Sequence, residues 1–205
     1  MPAPTEKYSR PPIIVPSTGT AAECTDAAGP IRLGGRLQNS IVPSAWRDIV
    51  YGKGSWILHM LRKRMGDEPF LKMLGEICRD KRNGVLTLRE FQEYAAAHLP
   101  PKTPDPKLEA FFDHWVDNTG IPAFTMTTSV KGRAPNVQLT VTVRQSGVDP
   151  GASFQVPVEV QPLRGKGQIY WVTTGEEPGV LTVKLAAPPA KVTLDPEASV
   201  LAAKR

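Results

Sequence analysis

Residues 111–143, FFDHWVDNTGIPAFTMTTSVKGRAPNVQLTVTV, contain the change of pattern that decides the fold class. Before Gly120 the apolar residues recur at helical spacing, whereas beyond Pro122 they come to alternate with polar residues, as in a half-buried strand. The alternation is clearest at four positions: Val137, Leu139, Val141 and Val143. The stretch therefore predicts a segregated α+β chain, with helices first and an antiparallel β-sandwich after them.

Upstream of this change, residues 29–120 are expected to form a helical subdomain. The apolar spacing predicts about four helices, over residues 43 or 44 to 65, 68–81, 87–99 and 106–118. The third begins with Thr87-Leu88-Arg89-Glu90, in which the Thr and Glu side chains can each bond the other's backbone N–H. Residues 29–44 are expected to form a loop with short extended pieces around Ile31–Leu33.

Downstream, residues 121–205 predict a β-sandwich of about seven strands, because turn signals separate short alternating runs. The later apolar sets lie at Phe154–Val160, Ile169 with Trp171, Leu181–Leu185 and Val192 with Leu194. Residues 1–28 are rich in Pro, Thr and Ala and show no period, so they are interpreted as an extended or disordered lead-in.

The composition narrows the possible partners and locations of the chain. Its net charge is +5, but the basic residues are dispersed and lack interleaved aromatic residues, so no nucleic-acid partner is expected. No apolar run approaches the roughly 20 residues of a membrane helix, and no targeting segment is visible. We expect a soluble protein of unassigned compartment. The two cysteines, Cys24 and Cys78, allow a disulfide or a pair of free thiols.

The sequence predicts no metal site in this chain. Its three histidines, His59, His98 and His114, fall on three different predicted helices. No HExxH motif places two histidines one helical turn apart. Scattered histidines of this kind are expected to be packing or surface residues.

Tyr51-Gly52-Lys53-Gly54 is the unusual feature of the strongest amphipathic stretch, residues 49–67, because glycine is a poor helix former. One interpretation is a tyrosine packed at a helix start. The other is that the phenolic O–H of Tyr51 donates a hydrogen bond into a cleft. The flanking glycines would then allow another group to approach the backbone closely.

The run Tyr51–Arg62, YGKGSWILHMLR, resembles the YxKG helix of the gluzincin zinc aminopeptidases, peptidase family M1, the membrane alanyl aminopeptidase-like group. Further similar pieces follow in the family's order over roughly residues 29–205: Met65–Phe70, Thr87–Phe91, Phe111–Trp115, Thr119–Pro122, Val156–Val160 and Asp195-Pro196. The resemblance implies that the helices correspond to the end of a catalytic domain and the strands to the β-sandwich that follows it.

The resemblance also implies a role for each residue of the motif. Tyr51 would donate a hydrogen bond to the oxyanion of the tetrahedral intermediate in peptide-bond hydrolysis, while Lys53 and Gly54 would be structural. The family's HExxH and GxMEN motifs, which precede YxKG, are missing. Zinc is therefore expected in a full-length parent protein and not in this chain, which is predicted to be inactive alone.

The partners expected on this basis are an upstream zinc-binding half and, in the parent, a peptide substrate. An exposed apolar face of the helices would also favour self-association. The alternative is that the chain is a non-catalytic module for protein interaction or structural support.

Overall fold

The computed structural model describes residues 25–203. The helical part contains five α-helices and three other helical segments within these residues. In chain order they are a 3₁₀ helix (Ile31–Asn39), α1 (Ala45–Arg47), a π-helical segment (Asp48–Lys53), α2 (Gly54–Met65), α3 (Asp67–Asp80), α4 (Leu88–Ala97), α5 (Glu109–Phe112) and a second π-helical segment (Asp113–Asp117). Helical structure is therefore present at all four predicted positions.

The helix ends follow from the local sequence. Gly66 ends α2 with a φ of 88°, a conformation that residues with a side chain rarely adopt. At the start of α4, the N–H of Glu90 donates to Oγ1 of Thr87 over 3.2 Å, and the N–H of Thr87 donates to Oε2 of Glu90 over 2.9 Å. The predicted reciprocal cap is thus confirmed.

The prediction of loop and extended structure around Ile31–Leu33 is wrong. These residues lie in the 3₁₀ helix, which is kinked at Gly34. Leu37, at its end, is buried against Ala45 and Ile49. Because this contact joins segments that are separate in sequence, local periodicity did not predict it.

The strands form two three-stranded antiparallel sheets. The strands are β1 (Ala123–Arg133), β2 (Asn136–Ser146), β3 (Phe154–Gln161), β4 (Gln168–Thr174), β5 (Gly179–Leu185) and β6 (Lys191–Leu194). The first sheet has the order β1-β2-β5 and the second β4-β3-β6. The prediction of about seven strands is therefore wrong for the described residues, which form six.

The inward faces of β2 and β3 were predicted correctly. Their alternating apolar residues are buried: Val137, Leu139, Val141, Val143, Phe154, Val156, Val158 and Val160. On β4 the prediction was wrong, because Ile169 and Trp171 lie on the face opposite the core. The antiparallel register places Val172 opposite Val156 and is the reason that Val172 is buried, whereas Ile169 is 45% exposed.

One buried cluster contains residues of both the helices and the sheets. At its centre the Phe154 ring contacts Phe124 and Trp115 edge-on, with ring centroids 5.7 and 5.5 Å apart. The strand β3 therefore packs directly against the second π-helical segment. The predicted division into lead-in, helical subdomain and sandwich domain stays a prediction, and residues 1–24 of the lead-in lie outside the described residues.

Two further sequence predictions concern membrane-spanning helices and the two cysteines. No helix within residues 25–203 is long and apolar enough to cross a bilayer. Cys78 is exposed on α3. Cys24 lies outside the described residues, so both predicted states of the cysteine pair remain predictions.

Candidate functional site

The π-helical segment Asp48–Lys53 carries the residues that the sequence singled out. The N–H of Gly54 contacts the carbonyl of Ile49, five residues back, and also that of Tyr51. Segments of this kind are rare within helices and are frequent at functional sites. Tyr51 therefore lies inside a continuous helical run that begins at Ala45, in a segment with non-standard hydrogen bonding.

The two glycines beside Lys53 differ in their surroundings. A Cβ atom on Gly54 would lie 3.3 Å from Cδ1 of Ile31, so a glycine here allows the 3₁₀ helix to approach α2 closely. A Cβ atom on Gly52 would meet no atom within 4 Å. Gly52 thus leaves an open surface next to Tyr51.

Tyr51 projects to the surface and is 61% exposed. Its ring meets the Trp46 ring edge-on, with centroids 5.2 Å apart and an interplanar angle of 87°. Among the hydrogen bonds of residues 25–203, none involves its phenolic O–H. The side chain is therefore supported on one side by an aromatic contact, and its donor is available to a ligand.

Lys53 has the opposite environment, since its side chain is only 5% exposed. Its Nζ donates to Oδ1 of Asp26 over 2.8 Å and to the carbonyl of Asn118 over 3.4 Å. The second carboxylate oxygen of Asp26 accepts from the N–H of Gly120 over 2.6 Å. This buried ion pair joins the π-helical segment to the turn that precedes β1.

Asp26 was not predicted from the sequence, because it lies in the stretch interpreted as a lead-in and belongs to no motif. One signal pointed toward such a residue: a lysine within an apolar helical stretch needs a carboxylate if it is buried. That argument does not say which carboxylate supplies the charge.

His114 is a further buried polar residue, and it lies beside the Asp26–Lys53 ion pair. Its Nε2 lies 3.0 Å from the carbonyl of Gly120, and its ring contacts Phe154 with centroids 4.5 Å apart. Burial lowers the pKa of His114; the Gly120 hydrogen bond opposes this change, and the positive charge of Lys53 adds to it. A neutral ring that donates from Nε2 to Gly120 agrees with both the geometry and this direction.

The other two histidines are also occupied by contacts within the chain. Nδ1 of His98 lies 2.8 Å from the carbonyl of Tyr94, and its Nε2 lies 3.2 Å from a carboxylate oxygen of Glu76. Nε2 of His59 lies 3.1 Å from the carbonyl of Ala198. Across the described part of the chain, no group of three His, Cys, Asp or Glu residues is arranged to hold a metal ion.

A cavity of about 350 Å³ lies beside the π-helical segment. Its walls are mainly apolar, and the Asp26–Lys53 pair contributes to them. The lining includes Asp48, Ile49, Gly52, Trp56, Ile121 and Leu201. Gly52 and Lys53, which follow Tyr51 in the chain, line this cavity, whereas Tyr51 itself does not.

The comparisons with known proteins support a similarity of fold and do not assign the chain to a family. No protein-family model matches the chain, and no curated protein sequence matches it. Among solved structures, the chain is similar to aminopeptidase A of Legionella pneumophila, determined in complex with aspartic acid, with a TM-score of 0.56 and 17% sequence identity. The match covers 82% of this chain and 19% of that chain, so this chain spans about a fifth of its length. The likeness supports an aminopeptidase-like fold, while membership of peptidase family M1 stays a prediction.

Proposed function

We propose that this chain is the C-terminal portion of a zinc aminopeptidase-like protein that hydrolyses peptide bonds. The observation that carries the proposal is the similarity of fold to an aminopeptidase over 82% of the chain. The YxKG resemblance at Tyr51–Gly54 supports the same reading independently, because it rests on residue identities and not on the backbone.

Within this proposal Tyr51 is the residue that contacts the reacting atoms. Attack on a peptide carbonyl places negative charge on its oxygen, and a donor aimed at that oxygen stabilises the tetrahedral state. The exposed O–H of Tyr51 can serve as this donor. One donor of this type contributes about 10²–10³ in rate.

The residues described here do not fit a zinc centre, because the three histidines are engaged by separate partners and no suitable cluster exists among residues 25–203. We therefore assign no step of the reaction to a metal held by this chain. The proposal places the zinc on an upstream half of a longer protein. It follows that the chain alone has no peptidase activity.

The experiment combines this chain with a purified upstream half and zinc, and measures hydrolysis of an aminoacyl anilide. Tyr51→Phe should lower kcat by about 10²–10³ and change KM little, because the lost hydrogen bond forms mainly in the transition state. Tyr170→Phe is the matched control, since Tyr170 is a half-buried tyrosine on β4. Activity that survives Tyr51→Phe unchanged would contradict the proposal.

One observation favours a second function, a non-catalytic interaction module. The helices form a mainly apolar groove of about 430 Å³, whose lining includes Ile31, Ile57, Leu58, Phe91 and Val116 together with the charged residue Arg32. Leu58 in this groove is 40% exposed. Under this alternative, Tyr51→Phe has no effect on any reconstituted activity.

A further inference from the structure

We propose that Asp26 is a positioning residue, which fixes the location of Tyr51 by holding Lys53 inside the protein. The effect of Asp26 on catalysis rests on the proposed function. The effect of Asp26 on the position of Tyr51 can be measured on the chain alone.

The geometry of Asp26 is that of a buried anchor. Both carboxylate oxygens are used, Oδ1 by Nζ of Lys53 over 2.8 Å and Oδ2 by the N–H of Gly120 over 2.6 Å. Its side chain, like that of Lys53, is 5% exposed. The two bonds connect three stretches that are distant in sequence: the N-terminal turn, the π-helical segment and the turn before β1.

The connection to Tyr51 runs through the backbone of the π-helical segment. Lys53 and Tyr51 are two residues apart in this segment, and their side chains lie in opposite environments, one buried and one exposed. A buried ammonium group without its counter-charge is strongly unfavourable, so Lys53 leaves the interior when Asp26 is neutralised. The segment then turns, and Tyr51 is displaced with it.

The unusual hydrogen bonding of the segment strengthens this effect. π-helical turns are rare and occur mostly as single turns inside α-helices. Loss of the extra residue in such a turn shifts the flanking helix by one position, about 100° of rotation. Trp46 and Tyr51 contact each other from α1 and the π-helical segment, so their ring contact reports this change.

The experiment follows the Tyr51–Trp46 contact by NMR, as the nuclear Overhauser effect between the two labelled rings in the full chain. Tyr51→Phe assigns the tyrosine signals. We expect Asp26→Asn to abolish the contact. Asp195→Asn is the control, because Asp195 also accepts backbone N–H bonds with both carboxylate oxygens, from Ser199 and Val200, but pairs with no cation among the described residues, and it should leave the contact intact.

The double variant Asp26→Asn/Lys53→Met tests whether Asp26 acts through Lys53. With no buried cation to expel, the chain should fold and regain the ring contact. If Asp26→Asn alone does not fold, the double variant is used to test the proposal. A folded double variant with the contact supports the proposal, and a double variant that lacks the contact or does not fold overturns it. Persistence of the contact in a folded Asp26→Asn chain also overturns it.

The reconstituted peptidase gives a separate readout. Displacement of Tyr51 by Asp26→Asn should lower kcat by about 10²-fold, with KM little changed, and the double variant should restore kcat. If Tyr51→Phe has no effect on kcat, the proposed function fails, whereas the ring contact still decides the positioning role of Asp26. If Tyr51→Phe lowers kcat and Asp26→Asn does not, the positioning role fails alone.

Discussion

Nη1 of Arg64 lies 4.0 Å from Oδ2 of Asp105, and the Arg64 side chain is only 8% exposed. Its guanidinium group sits over the Phe111 ring, with Cζ 4.6 Å from the ring centroid. Nη1 has no hydrogen-bond partner. Burial lowers the pKa of Arg64 to about 10, with partial compensation by the charge of Asp105. The charged form is therefore less favourable in the folded protein than in the unfolded chain.

This pair predicts unequal effects of mutating its two partners. Arg64→Met should change the free energy of unfolding little, because it removes a poorly solvated cation while Asp105 keeps its two backbone N–H donors. Asp105→Ala should lower it by about 3–5 kcal/mol, since Arg64 loses its counter-charge. The N–H groups of Ala110 and Phe111 also lose their acceptor. Urea unfolding followed by tryptophan fluorescence measures both variants, and equal losses would contradict this account.

His114 predicts a dependence of stability on pH. Burial is the main cause that lowers its pKa, so the folded ring stays neutral at pH values where the unfolded chain binds a proton. The free energy of unfolding should therefore fall as pH decreases below about 6.5, the usual histidine value, until the folded pKa is reached. Above that value the contribution is constant.

The measurement is the urea midpoint at several pH values on both sides of 6.5. His114→Gln should flatten the dependence, because the amide can still donate to Gly120 but does not titrate. His59→Gln is the control, since His59 is less buried and contacts the carbonyl of Ala198 and the Trp56 ring, outside the buried group that contains His114. The same slope in His114→Gln and the native chain would show that other groups cause the dependence.

The apolar groove of the helices predicts self-association of the isolated chain. Leu58 lies in this groove, and a glutamate there would have to be desolvated on association. Light scattering should show a mass that rises with protein concentration for the native chain and a monomer for Leu58→Glu. Leu163→Glu should behave like the native chain, because Leu163 is 71% exposed and lies beyond β3. A native chain that is monomeric at all concentrations would contradict the prediction.

The sequence predicted those features that depend on local periodicity. The helical positions and the inward faces of β2 and β3 are of this kind, because side chains repeat along a helix or strand whatever its neighbours are. No alternating set was assigned to the residues of β1. This strand is an edge strand whose residues from Thr127 to Arg133 are all exposed, so no buried face imposes a pattern on it.

The candidate site was predictable only in part. The motif at Tyr51–Gly54 stood out because glycines are rare in helices, and the resemblance suggested a role for Tyr51. Neither the π-helical geometry nor the buried partner of Lys53 could be predicted from the sequence. On β4, the sequence offered two alternating sets of similar polarity, and pairing with β3 selected the one that contains Val172.

The amino-acid sequence by itself thus determined the order of helices and strands and the positions of their strongest apolar faces, because these follow from interactions between near neighbours. The tertiary structure decided which face of β4 is buried, how the 3₁₀ helix packs, and why Lys53 points inward while Tyr51 points outward. Each of these depends on a contact between residues far apart in the chain. The Asp26–Lys53 pair is the clearest case, since 27 positions separate two charges that are stable in the interior only together.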